Sequence, residues 1–193
     1  MGYRRPKADA VGARRWRDFA QANRGLLTAL ELPQRFVDDR EALVYFLMHG
    51  EHPDTTTTFE PVELTAEQRR LLELLLLRYY RAGFGDPGPV LLPDETTAEL
   101  RDAAKDPEAS LEHELRLVFA PELRPAVRRA LAGYDGTAAL RVRLAVVVLC
   151  DGTLESVERL VEAANLDYRD VLGWAESPAT MRAGASVPSK GDP

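Results

Sequence analysis

The stretch Glu67-Gln-Arg-Arg-Leu-Leu-Glu-Leu-Leu-Leu-Leu-Arg-Tyr-Tyr80 constrains this chain more than any other. Wound as a helix, it places Leu71, Leu72, Leu74–Leu77, Tyr79 and Tyr80 on nearly every side. A helix that is apolar all round must be buried all round. Other elements therefore have to enclose it, and it is expected at the centre of the fold. Its ends are marked. Thr65-Ala-Glu-Gln68 is a capping box, in which Thr65 and Gln68 satisfy each other's free amides. Gly83 supplies the left-handed turn that stops it.

The surrounding segments carry the same helical period. Trp16, Phe19, Ala20, Asn23, Leu26, Leu27 and Leu30 form one stripe that must end before Pro33. Asp38 and Glu41 can cap a short helix bearing Leu43, Phe46 and Leu47, ending near Gly50. Thr96 and Glu99 box a helix over Ala98–Ala104. Asp106-Pro107 reads as an N-cap with proline at the first helical position, followed by Leu111, Leu115, Val118 and Phe119. Pro121 and Pro125 restart the chain into a helix with Val127, Ala130 and Leu131, closed by Gly133.

Three more helices, over 137–149, 154–165 and 168–176, follow with very short turns, the outline of a tri-helical unit. No stretch alternates with the period of a strand over five residues. The fold is expected to be all-α, an irregular helical bundle of about eight helices with a C-terminal tri-helical unit. The glycine- and proline-rich stretch 83–95 is the expected linker between an N-terminal helical lobe (1–82) and a C-terminal one (96–176), unless the two form one continuous domain. The small, polar tail 177–193 is expected to be disordered.

Hydrophobic residues make up 45% of 193, enough to bury a core. No apolar run approaches the ~18–20 residues of a membrane span, and the N-terminus lacks the apolar region of a secretory signal. Cys150 is the only cysteine, which excludes internal disulfides and cysteine-cluster metal sites. A reducing cytoplasm fits that count. Charge is uneven: residues 1–24 hold seven basic and two acidic residues, or +5, so the remainder of this −6 chain carries −11.

One stretch imitates chemistry. Val146-Val-Val-Leu-Cys-Asp-Gly-Thr-Leu-Glu-Ser156 resembles the first motif of haloacid dehalogenase-type phosphatases, whose nucleophile is an aspartate two residues before the Asp of Asp-Gly-Thr. Leu149 holds that position, and leucine can neither attack phosphorus nor bind a metal. The alternative accounts for each residue: Gly152 closes one helix and Thr153 caps the next. Gly83-Phe-Gly-Asp-Pro-Gly88 spells a dinucleotide motif, but it follows a helix, and Pro87, Pro89 and Pro93 oppose a helix after it.

His49 and His52, with Glu51 and Asp54 beside them, and His113, between Glu112 and Glu114, are the candidate ligands for zinc or iron if they converge. Gly50 breaks the helix between the first two. The final helix offers Arg169 alone among Asp167, Asp170 and Glu176, a poor surface for reading DNA.

Two further stretches carry a resemblance. Gly152-Thr-Leu-Glu-Ser-Val, Val161-Glu-Ala-Ala and Asp167-Tyr-Arg-Asp-Val-Leu-Gly-Trp-Ala-Glu176 resemble the C-terminal segment of a group of small uncharacterised bacterial proteins. Phe46-Leu-Met-His-Gly50 and Ala82-Gly-Phe84 resemble other uncharacterised sequences. Together they cover about a third of the chain and imply no activity. The expected function is therefore non-enzymatic: a cytoplasmic bacterial protein, adaptor or immunity-like, whose partner is another protein, with no cofactor. The competing expectations are a metal-dependent enzyme using His49, His52 and His113, and nucleic-acid contact through the basic lead Arg4–Arg17.

Overall fold

The computed structural model describes residues 10–30, 64–85, 87 and 91–176. The expected helix over Asp38–Gly50, the loop before Leu64 and the tail after Glu176 lie outside them. Among the described residues the chain is all-α, with eight helices and no strand: α1 (Ala10–Ala22), α2 (Arg24–Ala29), α3 (Ala66–Arg81), α4 (Asp94–Ala103), α5 (Pro107–Val118), α6 (Arg124–Ala132), α7 (Ala139–Leu149) and α8 (Leu154–Glu176).

The leucine-rich segment is α3. Thr65 and Gln68 close the capping box, with the two bonds at 3.1 and 3.0 Å. Leu72, Leu74, Leu75, Leu76, Leu77 and Tyr79 are buried, on successive faces as the sequence requires. Helices α2, α4 and α5 pack around it. Gly83 follows with φ +70°, a conformation that favours glycine because it has no Cβ.

The stripe from Trp16 to Leu30 forms two helices rather than one. Asn23, at φ −105° and ψ 17°, bends the chain between α1 and α2. The bend frees the Asn23 amide for work: Nδ2 donates to Phe19 O at 2.9 Å, and Oδ1 accepts from Arg78. Two other boundaries also move. Helix α4 begins at Asp94, before the Thr96–Glu99 box, because acidic Asp94 and Glu95 suit its first turn and the Thr97 hydroxyl donates back to Pro93 O. Helix α7 begins at Ala139, since Ala138 before it sits in the left-handed region at φ 56°.

The apolar side chains gather in two clusters. The first joins Trp16, Phe19 and Leu27 to the leucines of α3 and to Leu92, Leu100 and Ala103. The second runs from Leu115 and Phe119 through α6 and α7 to Val157, Leu160 and Val171 of α8. Helix α5 serves both sides. Leu115 enters the second cluster, while Glu114, one residue earlier, meets the arginines of α3.

The segment Val146–Leu160 is one helix ending and another beginning. Helix α7 runs to Leu149, Gly152 takes φ +85°, and Thr153 Oγ1 accepts from Ser156 N at 3.2 Å. Asp151 Oδ1 accepts from Thr153 N and Oγ1 at 3.1 and 2.6 Å, and the Thr153 hydroxyl leads in holding the Asp151 carboxyl below its usual range. Asp167 leaves helical geometry at φ −150° and ψ 104°, and its carboxylate accepts from Arg169 N. It divides α8 into the two helices expected from the sequence, which complete the tri-helical unit with α7.

Candidate binding cleft

A buried charge cluster joins the two sides of the fold. Glu114 is fully enclosed, its side chain 0% exposed. Its Oε2 lies 3.0 Å from Arg78 Nη2 and its Oε1 lies 2.5 Å from Arg81 Nη1. Burial alone would raise the Glu114 carboxyl. The two guanidinium groups outweigh it and hold the carboxyl below its ordinary value. Arg78 Nη1 also donates to Asn23 Oδ1 at 3.2 Å, and Arg81 Nη1 to Ser110 Oγ at 3.0 Å. The cluster thus ties the α1–α2 bend to α3 and α5.

Two cations on one anion leave a positive excess, and it faces a cleft. The cleft, of about 730 Å³, opens between α1 and the end of α3 on one side and α7 and the end of α8 on the other. Arg78 and Arg81 lie in its floor, the first 8% and the second 24% exposed. Arg81 Nε and Nη2, and the buried Arg78 Nε, have no hydrogen-bond partner among the described residues. Leu144, Ala145, Val148, Leu172 and Ala175 make the facing wall. Their spacing on α7 and α8 places them on the helix faces turned to the opening. Arg141 and Glu176, ion-paired to each other, stand at the rim.

Arg15 stands on the α1 side. It donates to Ala82 O and lies over the Phe84 ring, 5.2 Å from its centroid. One arginine of the basic lead thus helps to close the end of α3, whereas Arg14 and Arg17 are exposed on α1. The remaining cations of that lead, Arg4, Arg5 and Lys7, lie outside the described residues.

A second cleft, of about 400 Å³, shares Asn23 and Arg78 with the first and reaches Cys150 and Gly152. Cys150 is the C-cap of α7, and its thiol donates to Val147 O at 3.3 Å. Burial pushes that thiol up, away from the reactive thiolate.

The metal candidates are not brought together by the described residues. His49 and His52 lie outside them. His113, on α5, places Nδ1 3.1 Å from Ala109 O and Nε2 between Glu99 Oε1 at 3.0 Å and Arg116 Nη2 at 2.7 Å. A cation at Nε2 would have to displace Arg116. No group of metal-binding side chains occurs among the described residues. No helix among them is long and apolar enough to cross a membrane.

The sequence did carry a signal for the charge cluster. Arg78 and Arg81 fall one turn apart beside the apolar run Leu74–Leu77 and Tyr79–Tyr80, and Glu114 falls between Leu111 and Leu115 on the stripe of α5. Charges set in buried stripes have to meet each other.

No family model, no curated protein and no solved structure matches this chain.

Proposed function

We propose that this chain is a non-enzymatic protein-binding helical module, adaptor or immunity-like in role, working in the bacterial cytoplasm, and that the cleft over Arg78 and Arg81 is its binding surface. The carrying observation is the pairing of an aliphatic wall on α7 and α8 with a fixed arginine floor on α3. Aliphatic area provides affinity and anchored charge provides selectivity. Around that floor the hydrogen bonds serve structure: Glu114, Ser110 and Asn23 hold the arginines in place.

The competing readings draw less from the described residues. The ring nitrogens of His113 already face Ala109, Glu99 and Arg116. Arg15 of the basic lead is held against Ala82 and Phe84.

The test compares tagged wild type with a cleft-filling Ala175→Trp variant, each recovered from its native cells and its co-purifying proteins quantified. A partner retained by wild type and lost by the folded variant is the expected result. Identical protein sets from the two would overturn the assignment of the cleft.

A further inference from the structure

We infer that the partner presents an acidic amphipathic helix to this cleft, its apolar face against α7 and α8 and a carboxylate on Arg81. The inference rests on the cleft being the binding surface and adds the chemistry of what binds. Three observations carry it. The cleft lining holds four arginines, at 15, 78, 81 and 141, against Asp18 and Glu176, with Glu114 enclosed beneath. That is a local positive excess on a chain whose net charge is −6, so the cleft differs in sign from the body around it.

The arginine floor is anchored. Glu114 Oε1 and Ser110 Oγ both hold Nη1 of the Arg81 guanidinium, leaving Nε and Nη2 without a partner among the described residues. A guanidinium edge held in that way presents two parallel donors, the geometry that takes a carboxylate. Because Arg81 is already positioned, binding costs little of the side-chain entropy that a free surface arginine would lose.

The facing wall selects the shape of the occupant. Leu144 and Val148 are four residues apart on α7, and Leu172 and Ala175 three apart on α8, so each helix offers a short apolar ridge. The cleft is open to solvent rather than a closed cavity. Helix-in-groove recognition uses such a surface, read by anchors at matching spacing.

The test uses three fluorescein-labelled 14-residue helical peptides with one leucine face and, on the other face, glutamate, glutamine or lysine. Affinity is read by anisotropy, and the arginine Nε–Hε signals of ¹⁵N-labelled full chain are followed by NMR. The glutamate peptide is expected to bind about tenfold or more tighter than the glutamine peptide, with that margin shrinking at high salt. The Arg81 Nε–Hε signal should move with the glutamate peptide alone. Arg81→Ala also strips Glu114 of a partner and can unfold the chain, so the exposed Arg141→Glu serves as the second variant and should reduce the preference for glutamate.

Equal binding of the glutamate and glutamine peptides, blocked by Ala175→Trp, would overturn the acidic partner and leave the cleft as a binding surface. Binding of the glutamate peptide without movement of the Arg81 signal would overturn the carboxylate contact, and no binding by any peptide would overturn the inference as a whole.

Discussion

Arg78 and Arg81, one helical turn apart on α3, hold the same carboxylate: Glu114 lies 3.0 Å from the first and 2.5 Å from the second. Removing a single partner from a buried ion cluster strands the rest, at about 3–5 kcal/mol. Glu114→Gln should therefore lower the unfolding free energy by about that amount in urea titration. A change below about 1 kcal/mol would mean that the cluster is solvated in solution.

The same contact sets a pH dependence. The folded Glu114 carboxyl lies below its unfolded value. Its contribution is fully present above the unfolded pKa and is lost as pH falls through the lowered folded value. Unfolding free energy measured down the acid limb should drop more steeply in wild type than in Glu114→Gln. Parallel curves for the two proteins would contradict the assignment.

Two turns predict stability changes of opposite sign. Gly152 has φ +85°, and a Cβ there would meet Val118 O only at an ordinary 3.9 Å, so backbone conformation decides the outcome. Gly152→Ala should destabilise by about 1–2 kcal/mol. Ala138 has φ 56° and already bears that strain. Ala138→Gly should stabilise by up to about 1 kcal/mol, the relief exceeding the entropy that glycine loses on folding. Thermal melts of both variants check the pair, and a shared sign would refute the account of these turns.

These turns also mark how far the sequence could be read. Thr65 with Gln68, Asp106 before Pro107, Gly152 before Thr153, and Asp167 all announce helix ends through local bonding, so the all-α bundle and the helix ends at these residues were legible. The bend at Asn23 was not, because the side-chain contact it makes there is with Arg78, 55 residues away. The roles of Arg70, Arg124 and Arg143 were likewise hidden. They donate to the backbone carbonyls of Leu117, Phe119 and Leu131, which close α5 and α6. Spacing along a helix says which residues share a face, but says nothing of which distant carbonyl an arginine will reach.

The docking of α1 has its own test. Arg15 bridges to Ala82 O and covers Phe84, which packs edge-on against buried Trp16. In a Trp174→Phe background, which leaves Trp16 as the sole tryptophan, Arg15→Ala should red-shift the emission and speed amide exchange across α1. The expected loss of stability is about 1 kcal/mol. Unchanged emission and exchange would show that Arg15 does not hold α1 in place.

The central claim is that the cleft between α1, α3, α7 and α8 is where this protein meets its partner. A photo-crosslinking residue at Ala175, inside the cleft, and one at exposed Glu158, outside its lining, compare positions on the two sides of the Asp167 break in α8. In native cells, position 175 is expected to yield a discrete crosslink to one protein and position 158 none. A crosslink from position 158 with none from position 175 would contradict the claim.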